Sequence, residues 1–176
     1  KNKKNIMRYL FDTGKYNLVE LANGIEWENP ATKGVPWTCR GSLPPVAELN
    51  HLNEEEKRGA GYGNKLVDQA IKEFKPDVYI GIEDIWAFNN FHTKSWWNKI
   101  NTMIWTTLDS LPLLPQAVEY APKIKNYYVW SPFAEKAFKK MGYSHVNTLR
   151  GSLDTSNFFR FSDEKRVQLR EAHGLS

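Results

Sequence analysis

The chain has 176 residues, 41% of them hydrophobic, and a formal net charge of +4. These values predict one globular domain with a sizeable core. The basic residues are scattered among acidic ones after the first few positions, which excludes a nucleic-acid-binding patch. No apolar run approaches the roughly 18 residues of a membrane span, and no secretory signal heads the chain. Cys39 is the only cysteine, so an internal disulfide is impossible, and we expect a reducing, cytoplasmic location.

The first half of the chain predicts elements of mixed type. Apolar residues at helical spacing indicate a helix over Asn5–Phe11, and Tyr16–Ala22 has the composition of a strand. The segment Asn23–Asn53 is rich in Gly and Pro and contains one short predicted strand, Trp37–Arg40. A single helix is then predicted over Glu54–Phe74, with one apolar face.

From Asp77 onward, short strands alternate with helices. Strands are predicted over residues 77–82, 102–107, 126–130 and 144–149. Helices are predicted over residues 91–98, 115–120, 131–141 and 162–172. This alternation is typical of an α/β domain with a mostly parallel sheet and right-handed crossovers.

Polar residues that directly follow the predicted strands are the candidates for chemistry, because ligands of open parallel sheets bind outside the carboxyl ends of the strands. Three such places are Glu83–Trp86, Leu108–Pro112 and Trp130–Pro132. Neighbours in a strand point to opposite faces, so at most one of Glu83 and Asp84 lines a given cleft. The alternative role for Asp109 is to cap the following turn. The Trp residues at 86, 96 and 97 form either a ligand platform or part of the core.

Four motifs, in this order and spacing, resemble the acceptor-side domain of GT-B glycosyltransferases of the GT4 type. They are Pro76–Ile80, Trp105–Pro112, Ser131–Gly142 and Arg150–Phe158. Asp109 falls on the Asp of a His-Asp pair in the family, and Leu108 replaces the His. In the last motif Gly151, Asp154, Thr155 and Phe158 match, while Arg150 replaces an Asn; Phe158 is expected to pin the turn to the core.

The resemblance implies a Rossmann-like three-layer lobe of a GT-B fold that transfers a sugar from a nucleotide-sugar donor to an acceptor hydroxyl. It implies no metal and no cofactor in this domain. The site residues it implies are Asp109 and Asp84 as catalytic carboxylates, with Glu83, Trp86, Ser131, Arg150 and Gly151 as substrate-binding residues.

The resemblance also sets expectations for domain organisation. Residues 1–176 form a single acceptor domain whose first strand is missing, and residues 162–176 begin the linker to an absent donor-binding domain. The fragment alone is therefore expected to be inactive. The expected partners are a glycan, lipid or small-molecule acceptor and the donor domain, and the mild positive charge is compatible with peripheral association with a membrane.

Two other classes of function stay open at this point. One is a non-catalytic Rossmann-like module that binds a glycan or a protein partner. The other is an oxidoreductase that uses a nicotinamide cofactor. The segment Gly59–Gly63 lacks the spacing of a dinucleotide-binding loop and follows no strand, which argues against the oxidoreductase.

Overall fold

The computed structural model describes residues 2–151, 155 and 158–175. The strands are β1 (Val19–Glu26), β2 (Thr38–Leu43), β3 (Val78–Ile82), β4 (Asn101–Thr106), β5 (Asn126–Val129) and β6 (Asn147–Thr148). The α-helices are α1 (Asn2–Asp12), α2 (Val46–Leu49), α3 (Glu54–Gly61), α4 (Val67–Phe74), α5 (Pro115–Tyr120), α6 (Pro132–Lys140) and α7 (Asp163–Ala172). Short 3-10 helices span Pro30–Gly34, Ile85–Phe88, Phe91–Thr93 and Ala121–Lys123.

Every strand pairing in the described ranges is parallel. Strands β3 to β6 form a four-stranded sheet in the order β3-β4-β5-β6, and β1 pairs with β2 in a two-stranded sheet. Helices connect most of the strands, as parallel pairing requires. The protein is therefore α/β with parallel sheets, and the predicted Rossmann-like three-layer class is confirmed.

The core lies between the four-stranded sheet and the helices that pack on it. Ile104 of β4 and Val129 of β5 are fully buried, as expected for parallel strands covered on both faces. The local sequence explains why helix α6 begins where it does and which face it buries. Ser131 accepts a hydrogen bond from the Ala134 N–H, Pro132 occupies the first turn, and Phe138 is buried on the inner face.

The predicted single helix over Glu54–Phe74 is wrong, because the segment forms two helices, α3 and α4. Asn53 and Glu56 make a reciprocal capping box that starts α3. Gly63 has φ +93° and sits so close to Leu21 that a Cβ atom would lie 2.9 Å from the Leu21 Cδ2 atom. The glycine therefore ends one helix and allows the next to approach β1.

The predicted Trp-rich helix over residues 91–98 is also wrong. Asn90 has φ +60°, and only a 3-10 turn, Phe91–Thr93, follows it. Beyond this turn the indole of Trp96 donates to Asp68 Oδ1 at 2.6 Å and the indole of Trp97 donates to the Lys123 carbonyl at 3.1 Å. These two anchors fix both rings in the core, so neither belongs to a ligand platform.

The segment around the last of the four motifs, Arg150–Phe158, is less packed than its sequence predicts. Strand β6 covers only Asn147–Thr148 rather than residues 144–149. The Phe158 side chain is 50% exposed, so the expectation that it pins the turn to the core is wrong. Asp154 lies outside the described residues. Helix α7 follows, and Ser162 caps it by accepting a hydrogen bond from the Lys165 N–H.

Strand β1 contains a bulge that lengthens it beyond the predicted end at Ala22. Its register with β2 shifts between Ala22 and Glu26, and Gly24 within the bulge has φ +75°. The buried Ser42 hydroxyl accepts a hydrogen bond from the Gly24 N–H at 3.0 Å and donates one to the Gly61 carbonyl at 2.7 Å. The bulge is therefore tied to the end of α3.

Candidate functional site

A shallow pocket of about 170 Å³ lies at the carboxyl edge of the four-stranded sheet. It is lined by residues that follow β3, by residues that follow β4, and by one residue next to α5. These are Asp84, Trp86, Thr107, Leu108, Asp109, Ser110 and Leu114. The pocket therefore joins two of the three places that the sequence marks as candidates, at the position where open parallel sheets bind ligands.

The two predicted catalytic carboxylates line this same pocket. Strands β3 and β4 are parallel neighbours with Ile82 opposite Trp105, so the chain leaves both strands at the same edge. Asp84 follows β3 and Asp109 follows β4, and both side chains are exposed. In the described part of the chain, no hydrogen bond or ion pair engages either carboxylate, and the alternative role of Asp109 as a turn cap has no hydrogen bond to support it.

Trp86 presents its ring to the pocket because its neighbours anchor the turn that carries it. Ile85, Ala87 and Phe88 of the same 3-10 helix are buried, whereas Trp86 is 36% exposed. Tyr62 packs against the indole with the two ring planes at 83° and the centroids 4.9 Å apart. An edge-to-face contact of this kind restrains the orientation of a ring without covering all of it. The glycine-rich segment Gly59–Gly63 thus supports Trp86.

Glu83 has a different environment from Asp84. Its Oε1 atom accepts a hydrogen bond of 2.6 Å from the Nδ2 group of Asn23, which belongs to the bulged part of β1. Glu83 is not among the residues that line the pocket, as expected from the opposite directions of neighbouring side chains. This contact links the two sheets beside the pocket.

The remaining predicted binding residues lie at the same edge of the sheet but do not line this pocket. Ser131 follows β5, and its hydroxyl caps α6. Arg150 and Gly151 follow β6 and are exposed. The structure therefore brings together Asp84, Trp86 and Asp109.

Sequence reasoning missed some of the residues that build this edge. Thr107 and Leu114 line the pocket but flank the predicted place Leu108–Pro112, whereas Ser110 falls within it; their position in the loop after β4 is the signal that identifies them. Trp130 stacks on Trp105 with the centroids 4.6 Å apart and the planes at 14°.

The end of β6 is fixed to its neighbours by two further contacts. The indole of Trp105 donates to the Leu149 carbonyl at 2.7 Å. The Glu135 carboxylate of α6 accepts hydrogen bonds from the Thr148 backbone N–H at 2.8 Å and from the Thr148 hydroxyl, and it also pairs with Lys139. The bonds from Lys139 and Thr148 lower the pKa of Glu135 to about 2.

Among the described residues, no group of three or more His, Cys, Asp or Glu side chains is placed to hold a metal ion. Within the same ranges, none of the helices has the length and apolar character required to cross a bilayer.

No protein-family model matches the chain, and no curated protein matches it significantly. The resemblance to GT-B glycosyltransferases therefore stays a prediction that depends on the sequence motifs and on the site that they mark.

Proposed function

We propose that this chain is the acceptor-side lobe of a GT-B-type glycosyltransferase. The observation that carries the proposal is the pocket at the carboxyl edge of the parallel sheet, which contains both Asp84 and Asp109. These carboxylates come from separate strands and have no hydrogen-bond partner in the described ranges, so both are available to a bound hydroxyl compound. In this proposal the nucleotide-sugar donor binds to a second domain, opposite this edge.

The proposed reaction needs an acceptor hydroxyl aimed at the anomeric carbon of the donor sugar. A bond forms between the acceptor oxygen and the anomeric carbon, and the bond from that carbon to the donor phosphate oxygen breaks. The nucleotide leaves with the electron pair. In an inverting enzyme Asp109 takes the hydroxyl proton, and Asp84 orients the acceptor through a second hydrogen bond. In a retaining enzyme the leaving phosphate takes the proton and both carboxylates orient the acceptor.

The first test is Asp109→Asn in a protein that contains this chain together with its donor domain. The amide keeps the size of the side chain but cannot take a proton, so we expect kcat to fall by about 10²- to 10⁴-fold if the enzyme inverts. Asp77→Asn is the matched control, since Asp77 is an exposed aspartate at the opposite, amino end of β3. Unchanged turnover of Asp109→Asn at normal stability would remove Asp109 from the mechanism.

The second test concerns the domain organisation. We expect residues 1–176 alone to show no sugar transfer from any nucleotide-sugar donor, and we expect the gene to continue into a second α/β domain. Sugar transfer by the isolated chain would contradict the proposal that the donor binds to a separate domain. A stop codon after Ser176 would favour the non-catalytic module.

A cytoplasmic location is part of the same proposal. Cys39 is buried and is the single cysteine of the chain, so it forms no internal disulfide, which suits a reducing compartment. Nucleotide-sugar donors are made in the cytoplasm. Fractionation of cells that express the native gene tests the location. Recovery in the secreted fraction would contradict it.

A further inference from the structure

The charge and the aromatic surface of the pocket define the class of ligand that it accepts. We infer that the pocket binds an uncharged sugar ring stacked on Trp86 and excludes phosphorylated or otherwise anionic acceptors. The inference rests on the proposed function in one respect, namely that the ligand of this pocket is the acceptor. Beyond that function, the inference specifies the charge and the ring shape of the group that binds.

The charge of the lining residues indicates that the pocket disfavours anions. Asp84 and Asp109 are acidic, and no Lys, Arg or His is among the residues that line the pocket. Phosphate sites in proteins commonly use Arg or Lys side chains, and the lining supplies neither. Two carboxylates at contact distance repel a phosphate even in water. An anionic acceptor is therefore disfavoured, although the chain as a whole carries a formal charge of +4.

The hydrogen-bonding groups carry the second step. A sugar ring offers many hydroxyl donors, and carboxylates are strong acceptors for such donors because the bonds are charge-assisted. Thr107 and Ser110 add hydroxyls that donate as well as accept. The set of Asp84, Asp109, Thr107 and Ser110 therefore matches a polyhydroxyl compound better than it matches an apolar or an anionic one.

The exposed indole of Trp86 provides a surface on which a sugar ring can stack. One face of a sugar ring presents C–H groups, and the negative face of an aromatic ring attracts them. Trp86 is part of the pocket, keeps 36% of its surface exposed, and is restrained by Tyr62. The volume of about 170 Å³ is smaller than the roughly 300 Å³ at which pockets for drug-sized ligands begin. One sugar ring is thus a suitable occupant, with the rest of the acceptor outside.

Binding is tested on residues 1–176 by NMR of the tryptophan indole N–H groups. The probes are glucose, mannose and N-acetylglucosamine, each compared with its phosphate monoester. We expect at least one neutral sugar to shift the Trp86 resonance, and its phosphate ester to bind at least about tenfold more weakly. Asp84→Asn combined with Asp109→Asn should reduce that difference to less than about threefold, since the repelling charges are gone.

Variants of Trp86 separate stacking from folding. Trp86→Ala should abolish binding of the neutral sugar, whereas Trp86→Phe keeps an aromatic face and should retain part of the affinity. Binding to these two variants is followed on the resonances of the sugar by saturation-transfer NMR, because neither variant has the Trp86 indole. Trp130→Phe is the control, because Trp130 is an aromatic residue at the same sheet edge that does not line the pocket. The control should bind as the unmodified chain does.

Three results would overturn the inference. They are equal or tighter binding of the phosphate esters, unchanged binding by Trp86→Ala, and no effect of any of the sugars on Trp86. None of these measurements involves transfer, so failure here leaves the transferase proposal to its own kinetic test. The converse result is a two-domain protein that binds a sugar at Trp86 and yet transfers nothing. That result would refute the proposed function and would leave the inferred binding site supported.

Discussion

Two tyrosines buried in the same core allow a direct test of what it costs in stability to bury a hydroxyl group without a hydrogen-bond partner. Tyr127 of β5 is fully buried, and its hydroxyl has no hydrogen-bond partner among the described residues. Burial also raises the pKa of Tyr127. An unsatisfied buried hydroxyl costs about 1–3 kcal/mol, so Tyr127→Phe should remove that cost and leave the ring contacts intact. We expect the free energy of unfolding to rise by about 1 kcal/mol, with Tm higher by about 2–4 °C.

Tyr120 provides the matched comparison. It is also buried, but its hydroxyl donates to Asn89 Oδ1 at 3.2 Å and accepts from the Asn90 N–H at 3.4 Å. Tyr120→Phe should therefore lower the free energy of unfolding by about 1 kcal/mol. Urea denaturation followed by tryptophan fluorescence measures both variants, and equal m-values would show that the denatured states are comparable. A loss of stability in Tyr127→Phe similar to that in Tyr120→Phe would refute the reasoning.

Two further predictions concern the sheets. Gly41→Ala should destabilise the protein by about 3 kcal/mol in urea denaturation, because the new Cβ would lie 2.0 Å from the Glu26 carbonyl oxygen. Gly34→Ala, which meets nothing within 4 Å, should change stability by less than about 0.5 kcal/mol. Glu135→Gln should destabilise the protein near neutral pH. The Glu135 pKa is lowered from its ordinary 4.5 to about 2, so its contribution is present above about pH 4.5 and is lost as the pH falls toward 2. Denaturation curves over this range should converge for Glu135→Gln and the unmodified chain; a constant difference would contradict the assignment.

The positions of strands β3, β4 and β5 along the chain were largely predictable from the sequence. The run Val78–Ile82 combines β-branched and apolar residues with a preceding Pro, which ends the helix before it. Pro132 behind Ser131 marks the start of α6 with similar clarity. These are local signals, and the local backbone follows them.

The errors have a common physical cause in contacts between distant parts of the chain. A helix over Glu54–Phe74 satisfies the apolar periodicity, but the backbone leaves the helical conformation at Gly63, which has φ +93° and packs against Leu21 of β1. Likewise, Trp96 takes its position from Asp68, which lies 28 residues earlier. No window of sequence around these residues contains the partner that decides their conformation.

The residues predicted for the candidate site likewise fall into two groups, those that line the pocket and those whose side chains are engaged elsewhere. The rule for open parallel sheets placed Asp84 and Asp109 at one edge, and the structure puts them in one pocket. Glu83 and Ser131 satisfied the same rule, yet Asn23 and the start of α6 engage their side chains. Position along the chain predicts which residues reach the edge, whereas the hydrogen-bond partners decide which of them remain available.

The stacked pair of Trp105 and Trp130 has a spectroscopic consequence. Two indoles that lie nearly parallel at 4.6 Å couple their excited states and produce an exciton signal in circular dichroism. The signal depends on the relative orientation of the two rings, so it reports on the junction of β4 with the chain beyond β5. The Trp96 and Trp97 rings, with centroids 5.9 Å apart, contribute a signal of their own, so the difference between the spectra of the unmodified chain and Trp130→Phe isolates the stacked pair as an intrinsic optical probe of this junction.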